Sequence, residues 1–129
     1  MPWDRFTNEA RSYAPRGSMT KDGHISFTKG AKRRFDMGRF SFCALYYDHA
    51  TRRVGVELTN DESTQGVRRM RFKDGGVQVS AKNFIDYYGI GSKETRVFEV
   101  SRDEASGFLV LELAKGIPRG ASGRRGDES

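Results

Sequence analysis

KDGHISFTKGAKRRFDMGRFSFCALYYDHATRRVGVEL, residues Lys21 to Leu58, decides the fold, because residues Lys73 to Leu113 repeat its plan. Lys21-Asp22-Gly23 returns as Lys73-Asp74-Gly75, and Ile25 and Phe27 return as Val77 and Val79. Lys29 returns as Lys82 after one extra residue, which a single-residue bulge absorbs. Ala31 and Phe35 match Phe84 and Tyr88, Met37-Gly38 matches Ile90-Gly91, and Leu45 and Tyr47 match Phe98 and Val100. Two further residues in the hairpin bring Val54-Gly55-Val56-Glu57-Leu58 onto Leu109-Val110-Leu111-Glu112-Leu113. A unit of this length written twice implies that neither copy buries its apolar face alone.

Each copy reads as strand, short helix and hairpin. His24 to Thr28 alternates, with Ile25 and Phe27 on one face. Lys29 to Met37 predicts a short helix with Ala31 and Phe35 on one side and Lys29, Lys32 and Arg33 on the others. Phe40 to Tyr47 and Arg53 to Thr59, rich in aromatic and β-branched residues, predict a hairpin joined through Asp48-His49-Ala50-Thr51. The second copy is entered by a strand over Arg68 to Phe72. It continues with a helix over Lys82 to Tyr88 and a hairpin of Thr95 to Val100 and Phe108 to Leu113.

The expected layout is therefore an extension over 1–20, a first repeat over 21–58, a polar linker over 59–67, a second repeat over 68–113 and a disordered tail over 114–129. Trp3, Phe6 and Tyr13 make the extension either a cover for a sheet edge or a binding arm, and the cover is favoured because large aromatics are more often buried. Arg5 to Thr7 and Asn8 to Tyr13 are candidates for a short strand and a helical turn. The glycine-rich tail has no aromatic residue.

Composition bounds the function. A chain of 129 residues that is 36% apolar supports one domain with a modest core, and a net charge of +6 suits either an anionic partner or plain solubility. A single cysteine allows no internal disulfide, and the lack of a long apolar run or leader core points to a cytoplasmic protein. Cys43, inside an apolar strand, reads as a small buried hydrophobe. His24 and His49 are isolated from acids and from each other, and no glycine-rich run is followed by Lys-Ser or Lys-Thr. No enzyme, cofactor or metal is expected. In the pairs Tyr46-Tyr47 and Tyr87-Tyr88, Tyr46 and Tyr87 are the members free to stack on a partner.

The charge is uneven. Lys21 to Arg39 holds six cations against Asp22 and Asp36, whereas Lys73 to Lys93 holds three against Asp74 and Asp86. Lys29, Lys32, Arg33 and Arg34, with Arg68, Arg69 and Arg71 from the second half, form either a solvated basic face or a phosphate-binding one. Arg33 and Arg34, then Arg39, are the candidates for reading guanine edges.

The run from Lys21 to Phe35, and its weaker echo from Val79 to Ile90, resembles the AbrB/SpoVT swapped-hairpin family: Lys-Gly or a relative of it, an alternating strand, a lysine and a short basic helix. The resemblance covers about two thirds of the chain. It implies a mainly β fold, a swapped-hairpin β-barrel of two tandem β-α-β-β repeats with flanking helices, both in one chain as in proteins of the MraZ type. It also implies a DNA-binding transcriptional regulator. On that reading Lys21, Lys29, Lys32, Arg33, Arg34, Arg39, Arg68, Arg69, Arg71 and Lys82 meet duplex DNA. The chain departs from the pattern where Thr28 and Ala81 replace proline, where the Asp-x-x-x-Arg pattern of the MraZ type is missing, and where Ile85 and Asp86 replace Lys32 and Arg33. The weak charge of the second half keeps open a protein-binding module or phage-type accessory factor on an acidic partner, and the chain is either a monomer or a homodimer.

Overall fold

Left-handed residues mark where the chain reverses, and they divide it into strands. In the computed structural model, which describes residues 15–63 and 65–118, Asp74 and Gly75 take φ of 53° and 83° and join two strands in a tight hairpin. Among the described residues, six left-handed ones fall in three matched pairs, and Gly66 (84°) and Asp74 stand outside them. Gly75 lies 52 residues after Gly23 (φ 93°), Gly89 (63°) lies 53 after Asp36 (54°), and Gly107 (79°) lies 55 after Arg52 (55°). The growth in offset falls where the two insertions stand in the sequence.

Among the described residues the chain runs β1 (Arg16–Met19), β2 (His24–Phe27), helix α1 (Lys29–Arg34), β3 (Phe42–Asp48) and β4 (Arg53–Thr59). It continues through β5 (Arg68–Arg69), β6 (Arg71–Lys73), β7 (Gly76–Ser80), helix α2 (Lys82–Tyr88), β8 (Arg96–Arg102), β9 (Leu109–Glu112) and β10 (Ile117–Pro118). Single 3-10 turns stand at Met37–Arg39 and Leu113–Lys115. The strands form one antiparallel sheet in the order β5-β3-β4-β9-β8-β1-β2-β7-β6, with β10 against β8. Only Met70 separates β5 from β6, which lie at opposite ends of that order, so the sheet curls into a nearly closed barrel.

The ladders carry the core. Ile25 stands opposite Val79 and Phe27 opposite Val77, while Val54 faces Leu111 and Val56 faces Leu109. All eight are buried, together with Ala31 and Phe35 from α1 and Phe84 and Ile85 from α2. Leu45, Tyr47, Leu58 and Tyr88 pack on this core from its margin, half-buried. Thr28 caps α1, its Oγ1 accepting from Ala31 N at 3.2 Å, which supplies the orphan amide with a partner in the place where a proline was expected by resemblance.

Several expectations are corrected. The stretch Arg16–Met19 is a strand, not extension, because its backbone finds partners on both sides, β2 and β8. The first helix stops at Arg34, since Asp36 turns left-handed and sends Met37–Arg39 into a separate turn. The strand entering the second copy breaks at Met70. Leu113–Lys115 and Ile117–Pro118 are ordered, the latter against β8, where the tail was expected to be disordered. The expectations for Trp3, Phe6 and Tyr13, and for 119–129, fall outside the described residues. No helix among the described residues is long and apolar enough to cross a membrane.

Candidate nucleic-acid interface

Helix α1 lies alongside the β6–β7 hairpin. Lys32 Nζ sits 5.2 Å from the centroid of the Phe72 ring, and a Cβ on Gly75 would stand 3.3 Å from Lys29 Cδ. Lys29 and Lys32 therefore adjoin the β6–β7 hairpin on the side of Phe72, although the elements lie about forty residues apart in the chain. Lys29, Arg33 and Arg34 are exposed and Lys32 is half-buried. Basic residues in the last turn also offset the negative end of the helix, which is their purely structural use.

Alternation sorts the arginines of β5 and β6. Met70 is buried, and Arg69, Arg71 and Lys73 on alternate positions are exposed. Arg69 lies over the Phe42 ring at 5.0 Å. Arg68 behaves differently. Its cross-strand partner is the buried Cys43, and its Nη1 donates to the Ser80 carbonyl at 3.0 Å, so it ties β5 to the end of β7. Its charge draws the Cys43 thiol down slightly, but burial dominates and pushes that thiol up to about 11.

Lys21 and Lys82 belong elsewhere. The Lys21-Asp22-Gly23 turn meets α2, where a Cβ on Gly23 would stand 2.6 Å from Lys82 Cβ, and Lys21 N donates to Thr95 Oγ1 at 3.4 Å. Lys82 also pairs with Asp86 at 3.1 Å, which leaves this second place weakly charged. Arg39 pairs with Asp36 at 3.7 Å on the surface, a contact of little energetic weight. Of the ten residues expected to bind, seven thus surround α1 and β5–β6, two stand by α2, and Arg68 turns inward. Lys73 joins the exposed strip and was missed because its Lys-Asp-Gly context reads first as a turn; its spacing from Arg69 and Arg71 was the available signal.

The aromatic residues split as the pairs suggested. Tyr46 and Tyr87 are 42% and 81% exposed, while Tyr47 and Tyr88 pack together with ring centroids 5.0 Å apart and His49 at their edges. Tyr46 stacks on Phe108 at 4.5 Å and donates to Glu57 Oε1 at 2.7 Å, which raises the tyrosine pKa. Phe108 therefore lies across β4 over Gly55 rather than in the strand expected of it. Asp48 and Asp103 close the two hairpin tips by accepting from Thr51 and Ser106 hydroxyls, and both carboxyls are held below their ordinary range chiefly by those bonds. Among the described residues no group of His, Cys, Asp and Glu is placed to hold a metal.

Comparison with family models, with curated proteins and with solved structures gives no match to the chain.

Proposed function

We propose that this chain is a small DNA-binding protein, a transcriptional regulator of the swapped-hairpin type that binds duplex DNA without catalysing a reaction. The observation that carries the reading is the density of exposed cations on two neighbouring elements, Lys29, Arg33 and Arg34 with the half-buried Lys32 on α1, and Arg69, Arg71 and Lys73 at alternate positions of β5–β6. A polyanion neutralised by such a face releases counterions, and long cationic side chains on rigid elements suit phosphates at fixed spacing.

The tandem arrangement belongs to the same proposal. If residues are matched at an offset of 52, the pair Ile25–Val79 becomes Val77–Phe27, which is itself a pair of that ladder. At an offset of 55, Val54–Leu111 becomes Leu109–Val56, again a pair of its ladder. Both registers, and the three matched left-handed sites, suit two copies interlocked about an approximate twofold axis, with β2 and β4 of one copy held by β7 and β9 of the other. The α2 side, with Lys82 paired to Asp86 and Tyr87 protruding, favours a protein contact there over a second DNA contact.

The test is Arg33→Ala combined with Arg34→Ala, followed by anisotropy of a labelled duplex and by thermal melting. Both side chains are exposed. The melting temperature should hold while duplex binding weakens. Unaltered affinity would remove these arginines from the interface.

A further inference from the structure

Phe72 is the large apolar side chain that the fold leaves at the surface among the cations. It is 45% exposed, although its cross-strand partner Val77 is only 2% exposed. A single exposed apolar residue needs no special explanation. The surroundings of this one do. Lys32 holds its ammonium 5.2 Å from the ring centroid and the Lys29 side chain runs along Gly75 at the next turn, while alternation turns the neighbouring Arg71 and Lys73 to the other side of β6. At the offset of 52 the first copy has Thr20 in the place of Phe72, so the shared plan does not require an aromatic ring there.

An acidic protein surface would meet the charge and leave the ring in water. Nucleic acid offers both chemistries at once, phosphates at the rim and flat apolar bases between them. We propose that Phe72 is a base-contacting residue: its ring packs against a nucleobase at an opened base step while Lys29 and Lys32 beside it meet the neighbouring phosphates. The inference rests on the nucleic-acid reading given above and adds to it a contact that charge alone does not provide.

The experiment measures anisotropy of a labelled duplex with the full chain and with Phe72→Ala, Phe72→Leu and Phe72→Tyr, each at several salt concentrations, with melting curves in parallel. Loss of a stacked ring should weaken binding by about 5- to 150-fold in Phe72→Ala. The slope of log affinity against log salt should stay at the wild-type value, because phosphate contacts set that slope. Phe72→Tyr, which keeps a flat ring, should recover most of the affinity. Phe72→Leu should not, and it carries the comparison if the alanine variant melts early. Wild-type binding matched by both Phe72→Ala and Phe72→Leu would overturn the base contact alone, as would a weakened binding whose salt slope falls with it. Failure of the wild-type chain to bind any duplex at low salt would instead overturn the nucleic-acid reading and the base contact together.

Discussion

Leu111→Ala tests whether the barrel is held by one core shared between the two copies. Leu111 is fully buried, faces Val54 across one ladder and Val100 across the other, and reaches β1, where its Cδ2 would stand 3.0 Å from a Cβ on Gly17. Truncation removes three carbon atoms, about 2.4 kcal/mol at about 0.8 kcal/mol for each. The cavity left among strands that are hydrogen-bonded on both sides raises the cost to about 3–5 kcal/mol. That is a large share of the ~5–15 kcal/mol that holds a domain folded. In urea the midpoint should fall by about 2 M for a slope near 2 kcal/mol/M, in a single transition seen alike by circular dichroism and fluorescence. Tyr87→Ala, which removes a ring that is 81% exposed, serves as the control and should stay within about 0.5 kcal/mol of wild type. A cost below about 1 kcal/mol for Leu111→Ala, or two transitions of which one is unmoved, would refute the shared core.

Two further outcomes follow from local chemistry. Thr28→Ala removes the Oγ1 that accepts from both Ala31 N and Arg16 N, and should destabilise by about 1 kcal/mol, read as a lowered melting temperature; an unchanged value would mean the cap is idle. Cys43 keeps its proton to about pH 11 in the folded chain against 9.0 as the ordinary value, so its contribution is complete below pH 9 and is lost as pH rises toward 11, by at most about 2–3 kcal/mol. Denaturation midpoints of wild type and Cys43→Val should diverge over that interval, and parallel curves would contradict the burial of the thiol.

What the sequence disclosed depended on whether a residue's role is local. Val54 and Val56, Val77 and Val79, and the Phe84–Tyr88 spacing announce half-buried strands and an amphipathic helix through periodicity alone, and the structure has those elements at those residues. The strand β1 carries no such signal. Arg16-Gly17-Ser18-Met19 is a strand because it fills the gap between β2 and β8, and Gly17 is small because Leu111, Ser26 and Val100 crowd it. Ile117 and Pro118 are likewise fixed by a neighbour, β8. Asp36 is left-handed at the end of α1, as Gly89 is at the end of α2, so the end of α1 was disguised by a residue less commonly left-handed than glycine.

The candidate site divides in the same way. The cations of α1 were legible because helical spacing places them away from Ala31 and Phe35. Arg68 was grouped with Arg69 and Arg71 by proximity in sequence, whereas strand alternation turns it inward toward Cys43 and Ser80. Lys21 and Lys82 were separated from the α1 cations only by tertiary contacts, of the Lys21-Asp22-Gly23 turn with α2 and of the Lys73-Asp74-Gly75 turn with α1. Phe72 reads from sequence as one more apolar strand residue, and only its place beside Lys32 distinguishes it.

The measurement that bears most directly on the whole account is the salt dependence of duplex binding by the wild-type chain. If the cations of α1 and β5–β6 bind duplex DNA as proposed, several phosphates should be engaged, and log affinity should fall against log salt with a slope of about −0.9 for each phosphate neutralised, about −4 or −5 in all for five of them. Absence of binding at low salt, or binding that ignores salt, would contradict it.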